Sequence, residues 1–464
     1  MKASVTIFFS LSLSTFIMLI MTLAFLLIQN SEKVRFYGAF DISANSCLGE
    51  YSKALYEKYD LLYVDTSYMN GEPSLEKLKT HIRTYFSKNT VDVYRKPGGP
   101  WGDISLSDVE VSNVQRATEK GGTSMRNQAL KAVDRSSFIQ GYLAETSGVF
   151  NLGTTADISV DPLEPFKSVM GTVDGLKRPK KIDEETHEEI EVELDNPAQA
   201  IFDKCGDGIL KAAKVDVSGI SEDSIDISGL CSKRNHEDSS VSEAVHGDKS
   251  KFGAYTLSKF GDYLHPAYNH CFSCELEYLV NGGSSDLNNL KGIANSIFVQ
   301  RFANNMALAL SDTELKSEAK AVALALEICT MSPEFTEPIT LCILMAAAYQ
   351  ETVSDVHSIM NGGRIPPVKT VHNMSVSRVL SGNYYYDESN EGWSYEQYLL
   401  AMLYGLDEKL WNERVMDVME LEIRKDTENP CFSMDGCLER MNVMILGNGR
   451  MGNELVLQRT YGFF

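Results

Sequence analysis

The chain has 464 residues, with 43 lysines and arginines against 64 aspartates and glutamates, for a formal net charge of -21. An acidic surface repels phosphate backbones and anionic lipid, which argues against nucleic-acid binding and peripheral docking on a membrane. Nine cysteines (Cys47, Cys205, Cys231, Cys271, Cys274, Cys329, Cys342, Cys431 and Cys437) exceed what packing needs, and an odd number cannot all pair within one chain.

From Ser4 to Gln29 there is no charge, no proline and no glycine. At about 1.5 Å per residue this run is roughly 37 Å long as a helix, enough to cross a hydrocarbon core of about 30 Å. A cleaved signal peptide is the competing reading. Against it, the charged leader is only the amino terminus and Lys2, the apolar stretch is about twice a normal signal core, and Gln29, Asn30 and Ser31 offer no small-residue cleavage site. The expectation is a retained anchor over residues 1–29. Beyond it no second apolar run of about 20 residues follows, which gives a single-pass topology. Lys2 on one side and Lys33 and Arg35, offset by Glu32, on the other leave the orientation open by charge alone. The head is expected to be extracytoplasmic.

Residues 30–60 continue as an amphipathic helical stalk. Val34, Tyr37, Phe40, Ala44, Cys47, Leu48, Tyr51 and Leu55 recur at spacings of three and four, the mark of one helix face. Residues 61–150 read as an α+β part of the head. Leu61 to Tyr68 has strand composition and ends at the turn signal Asn70-Gly71. Ile104 to Val114 alternates apolar and polar residues, and Ser124 to Ser136 has helical periodicity with Ser124 as its cap. Gly98 to Gly102 reads as a rigid loop.

Residues 151–255 form a polar, loop-rich insertion. Within it Lys177, Arg178, Lys180 and Lys181 give way abruptly to the acidic run from Asp183 to Asp195, a solvated loop by charge pattern. Residues 256–430 are mainly helical, with spans at Leu287 to Leu310, Glu314 to Thr330, Pro338 to Met360 and Tyr395 to Lys425. The apolar run Ile339 to Tyr349 is too short to cross a membrane and reads as a buried core helix. Residues 431–464 close the chain as a β-hairpin, with strands at Met441 to Leu446 and Glu454 to Tyr461. The fold class is α+β, with a mixed β-sheet and a C-terminal helical bundle behind the membrane helix.

No phosphate-cradling loop, GxSxG elbow or HExxH helix occurs, and no catalytic, cofactor or metal residues are assigned. The nearest thing to a chemical cluster is His265, His270, Cys271 and Cys274. With Cys431 and Cys437 these could hold zinc or support thiol chemistry, although the spacing matches no compact zinc ribbon. A Cys205–Cys231 disulfide is open to an exported head, whereas Cys329 and Cys342 sit in apolar surroundings as small hydrophobes.

Several segments in order resemble an uncharacterised bacterial membrane-protein family. They are Ser4 to Ile28 with Cys47 to Tyr51, Asp60 to Tyr68, Ala117 to Gln128, ISEDSIDISGLCSKRN (220–235), CELEYLVNGGSSDLNNL (274–290), Arg301 to Asn305, and Ser394 to Leu399. The resemblance implies association with Tad/Flp-type pilus or type II secretion-like systems, with likeness to TadE/TadG-type pseudopilins, whose apolar helix, stalk and globular head pack laterally with other subunits. One departure is that cleavage after Ala3 would put Phe8 where a prepilin carries its glutamate, so prepilin processing is not expected. Glu275 and Glu277 are expected to pair with Arg301 to fix the head. The expected function is that of a non-enzymatic, minor pilin-like or assembly component. A surface adhesin or receptor head is the alternative, with an anchored thiol or metal enzyme as a third reading.

Overall fold

The computed structural model describes residues 2–69, 71–90, 104–146, 148–149, 180–182, 189–191, 197–205, 208–236, 248–330, 336–449 and 452–463. The Gly98 to Gly102 loop, most of the charged run 177–195 and the side chains of Cys205 and Cys329 lie outside this description. The chain divides into two compact units. One comprises Met1–Ser136, Ser228–Asp248 and Glu408–Phe464, the other Ser137–Ile227 and Lys249–Asp407.

The first unit opens with one uninterrupted helix, Lys2–Leu48. Along Val5 to Leu27 its apolar side chains, among them Ile7, Leu13, Met18 and Leu27, are exposed. Among the described residues this is the one helix long and apolar enough to cross a membrane. Past Glu32 the same helix changes character. Phe36, Ala39, Phe40, Ala44 and Cys47 are buried at helical spacing and pack with Leu78, Ile82 and Phe86 of the helix Leu75–Thr90. Each fully buried phenylalanine contributes about 1.5–3 kcal/mol, so Phe36 and Phe40 hold this half of the helix to the unit.

Six strands are described: β1 Val64–Asp65, β2 Ser105–Arg116, β3 Lys180–Ile182, β4 Glu189–Glu191, β5 Cys437–Asn448 and β6 Glu454–Gly462. β5 is the centre of the main sheet and pairs antiparallel with β1, β2 and β6. Among the described residues β3 and β4 pair only with each other. Met441, Val443 and Ile445 alternate along β5 onto the face that meets the first helix. In β2, Val109 and Val111 face the core at spacing two. A bulge at Asn113, whose φ is 46°, then shifts the register so that Val114 faces it too.

Every strand pair in the main sheet is antiparallel, so the sheet is not mixed. The strand expected over Leu61 to Tyr68 shrinks to two residues. The Asp65 carboxylate accepts from the Ser67 amide at 2.8 Å and its hydroxyl at 2.6 Å, and Tyr68 and Met69 then turn with φ of 49° and 56°. Val34 is 71 % exposed, and Phe36 takes its place on the buried stripe. The first helix stops at Leu48, and a separate short helix, Lys53–Tyr59, follows behind a Ser52 cap. Ser124 is not a cap, since it is buried and donates to Glu439 Oε2 at 2.6 Å. Just before it, Gly121 and Gly122 adopt φ of 66° and 79°. A Cβ on them would come within 2.6 Å of Lys409 Cγ and 2.8 Å of Asn412 Cβ, so this turn and its close approach to the helix Glu408–Asp426 require glycine.

The second unit is helical at its centre. Helices Asp286–Ser311, Thr313–Thr330 and Thr336–Met360 pack on one another, and the last is buried along almost its whole length, including Ile339 to Tyr349 and Cys342. The span expected over Tyr395 to Lys425 is two helices, Tyr395–Gly405 and Glu408–Asp426, which belong to different units. The break falls at Leu406, whose ψ of 156° is extended. Ser394 and Gln397 form the capping box that starts the first of the two.

Candidate functional site

The chemistry-bearing residues of the second unit collect around the loop between the helices Lys249–Lys259 and Glu275–Asn281. The loop is built by close backbone approach and local capping. A Cβ on Gly261 would lie 2.7 Å from the Ala267 amide nitrogen, so the chain can fold back here only as glycine. The Asp262 amide donates to the His265 carbonyl at 3.1 Å, and Asp262 Oδ1 accepts from the Leu264 and His265 amides, each at 2.7 Å. That Asx turn sets the position of His265.

The two glutamates that open the next helix clamp the loop from the other side. Glu275 Oε2 accepts from the Gly261 amide at 2.9 Å, and Glu277 Oε1 accepts from the Tyr263 amide at 2.8 Å. His270 Nδ1 is hydrogen-bonded to Glu275 Oε1 at 2.7 Å, and the Tyr395 hydroxyl donates to Glu277 Oε1 at 2.6 Å. The expected pairing of Glu275 and Glu277 with Arg301 is therefore not formed. Arg301 instead lies against Asp355, with Nε and a terminal nitrogen at 3.0 and 2.9 Å from Oδ2. The loop amides and Tyr395 reach the glutamates, whereas the helix carrying Arg301 turns it toward the largely buried helix Thr336–Met360.

His265 is left with carboxylates rather than thiols as neighbours. Its Nδ1 lies 3.3 Å from Glu396 Oε1 and 3.5 Å from Asp262 Oδ1. These three residues offer one ligand atom each within 4.8 Å of one another. Asp262 is 2 % exposed and His265 73 % exposed, so the cluster has a buried floor and an open top. It borders a cleft of about 570 Å³ whose lining includes Tyr142, Glu145, Arg364 and Tyr395. Burial, reinforced by the Asp262 charge, holds the Glu396 carboxyl above its usual range. Burial first and Asp262 second push Glu277 up to about 8.

The expected group of His265, His270, Cys271 and Cys274 is thus taken apart. His270 goes to Glu275, His265 to the two carboxylates, and Cys274 is buried at the start of its helix, where burial pushes its thiol up. Cys431 and Cys437 belong to the other unit. Burial likewise pushes the Cys231 and Cys437 thiols up, which disfavours the thiolate that a nucleophile or metal ligand needs. Asp262, Tyr395 and Glu396 carry no sequence motif that marks them as site residues. The available signal was Gly261-Asp262 followed by His265-Pro266, a turn that places a carboxylate and an imidazole three residues apart.

A second polar network holds the first unit. Arg234 donates through Nε to Asp435 Oδ2 at 2.9 Å, and through its terminal nitrogens to Glu420, Ser433 and the Gly229 carbonyl. His236 Nδ1 is hydrogen-bonded to Asp435 Oδ1 at 2.7 Å. The segment 220–235 therefore ends in a staple onto the helix Glu408–Asp426.

A pH effect follows from Glu277. Because its folded value is about 8 against an ordinary 4.5, the folded chain binds more protons than the unfolded chain between those values, and stability falls as pH rises through that window. Glu277→Gln keeps the neutral form and the acceptor oxygen. Urea midpoints of both proteins in metal-free buffer from pH 5 to 9 are expected to diverge with rising pH. The variant becomes the more stable, by on the order of a few kcal/mol at the alkaline end.

No curated protein and no solved structure matches the chain. Over residues 187–448, more than half of its length, the chain matches the model of a family of unknown function, DUF5702, and it belongs to that family.

Proposed function

We propose that the chain is a non-enzymatic, single-pass envelope protein that serves as a minor pilin-like or assembly component of a Tad/Flp-type pilus or secretion system. The observation that supports this is the first helix. It is continuous from Lys2 to Leu48, exposes apolar side chains over Val5 to Leu27, and then lays Phe36, Phe40, Ala44 and Cys47 onto an antiparallel sheet. A rigid rod that is apolar at one end and anchored in a folded unit at the other suits lateral packing of like subunits within a membrane. The cleft beside His265 favours a second reading, a receptor or adhesin head, because it offers a concave polar surface for a ligand.

Both readings require the head to be outside the cell. Val371 is 73 % exposed in the second unit, so Val371→Cys supplies an accessible thiol that the native chain lacks at that place. A membrane-impermeant maleimide is expected to label this variant above the native background in intact cells. Extra labelling that appears only after lysis would put the head in the cytosol and end both readings.

A further inference from the structure

We propose that Asp262, His265 and Glu396 form a binding site for a divalent first-row transition cation of the Zn2+ or Mn2+ class, open on its outer side to the cleft. The ligand atoms, one imidazole nitrogen and two carboxylate oxygens, lie within 4.8 Å of one another. His265 Nδ1 lies 3.3 and 3.5 Å from the two carboxylate oxygens, the separation of neighbouring ligands on a tetrahedral ion with bonds of about 2.0–2.2 Å. Asp262 is fixed by the amides of Leu264 and His265, while the exposed imidazole of His265 already turns its Nδ1 to both carboxylates. Three protein ligands and a solvent-facing fourth position match the arrangement of an open rather than a closed site.

An independent observation behind the cluster points the same way. Glu277 is fully buried, and its Oε1 takes both available donors, the Tyr263 amide and the Tyr395 hydroxyl. Among the described residues its Oε2 has no hydrogen-bond partner. Tyr263 directly follows Asp262 and Tyr395 directly precedes Glu396, so this carboxyl lies between the two residues that bring the carboxylate ligands together. A buried carboxyl oxygen without a partner is costly, and a cation held by Asp262 and Glu396 places positive charge near the Glu277 carboxyl and offsets the mutual repulsion of the two ligand acids. The donor set also selects the class of ion. An imidazole with carboxylates suits Zn2+ or Mn2+, whereas Ca2+ takes oxygen ligands alone. This site is independent of the pilus reading.

The test is binding of the metal alone to the detergent-solubilised full chain, with Zn2+ followed by calorimetry and Mn2+ by electron paramagnetic resonance. One equivalent per chain is expected. His265→Ala and Glu396→Gln, both at solvent-accessible positions and checked for native circular dichroism, should each weaken binding about tenfold or more, the scale on which even outer partners of a metal matter. His372→Ala, whose imidazole lies 3.0 Å from Asp312 Oδ2 elsewhere in the unit, should bind as the native chain does. Absence of saturable binding overturns the proposal, as does equal affinity in the His265 and Glu396 variants. A thiolate charge-transfer band in the Co2+-loaded chain would place the ion on cysteines and overturn it as well.

Discussion

Ile17→Asp is expected to release the full chain from the membrane fraction. Ile17 is exposed near the middle of the apolar stretch Val5 to Leu27, and none of the described residues covers it. A carboxylate at the centre of a span costs about 2.5–3.5 kcal/mol on insertion scales and more on an isolated helix. Val34→Asp is the matched control. Val34 is 71 % exposed on the same helix, beyond the apolar stretch, and a charge there leaves partitioning unchanged. Membrane fractionation after alkaline extraction reads both variants. An Ile17→Asp protein that stays in the pellet as firmly as the native chain would show that this helix is not what holds the protein to the bilayer.

Arg301→Ala is expected to destabilise the second unit by about 3–5 kcal/mol, the cost of removing one partner from a buried ion pair. Arg301 is 1 % exposed and Asp355 2 % exposed. The guanidinium bonds Asp355 Oδ2 twice and also donates to the Pro366 and Pro367 carbonyls at 2.9 and 3.1 Å. Asn305 and Lys369 complete the shell of Asp355 at 2.8 and 2.9 Å. Without the guanidinium those carbonyls lose their donor, and Lys369 is left to serve Asp355 while it is also paired with Glu351. Arg301→Lys restores the charge without the planar fork, and is expected to recover only part of the loss. The readout is hydrogen exchange across Thr336–Met360, which reports on this unit even if the two units unfold separately. Protection in Arg301→Ala equal to the native chain would mean the pair contributes little.

These two predictions differ in how far ahead of the structure they could be made. The first needs composition only: a run from Ser4 to Gln29 without charge, proline or glycine is visible before any folding is considered. Ile339 to Tyr349 was equally legible, because an apolar run between Glu337 and Glu351 that is too short to span has to be covered by protein. The strands around Gly447-Asn448-Gly449 were readable from alternation, although both extend past their expected ends. Arg301 was singled out by sequence but given the wrong partners. Glu275 and Glu277 are spent on loop amides and Tyr395, and no spacing along the chain announces which of several acids a buried guanidinium will meet.

The sequence by itself determined the apolar N-terminal helix, its continuation as a half-buried one, the alternating strands and the core helix. Each is a periodic or compositional property that a short stretch of chain carries alone. Tertiary structure alone decided which stripe of the first helix is buried, that the long C-terminal helical span breaks at Leu406, and that His265 stands between Asp262 and Glu396 rather than among cysteines. Those outcomes depend on contacts between residues distant in sequence. There, small differences in packing, and competition among many donors and acceptors for each buried charge, choose one arrangement from several that local patterns allow equally.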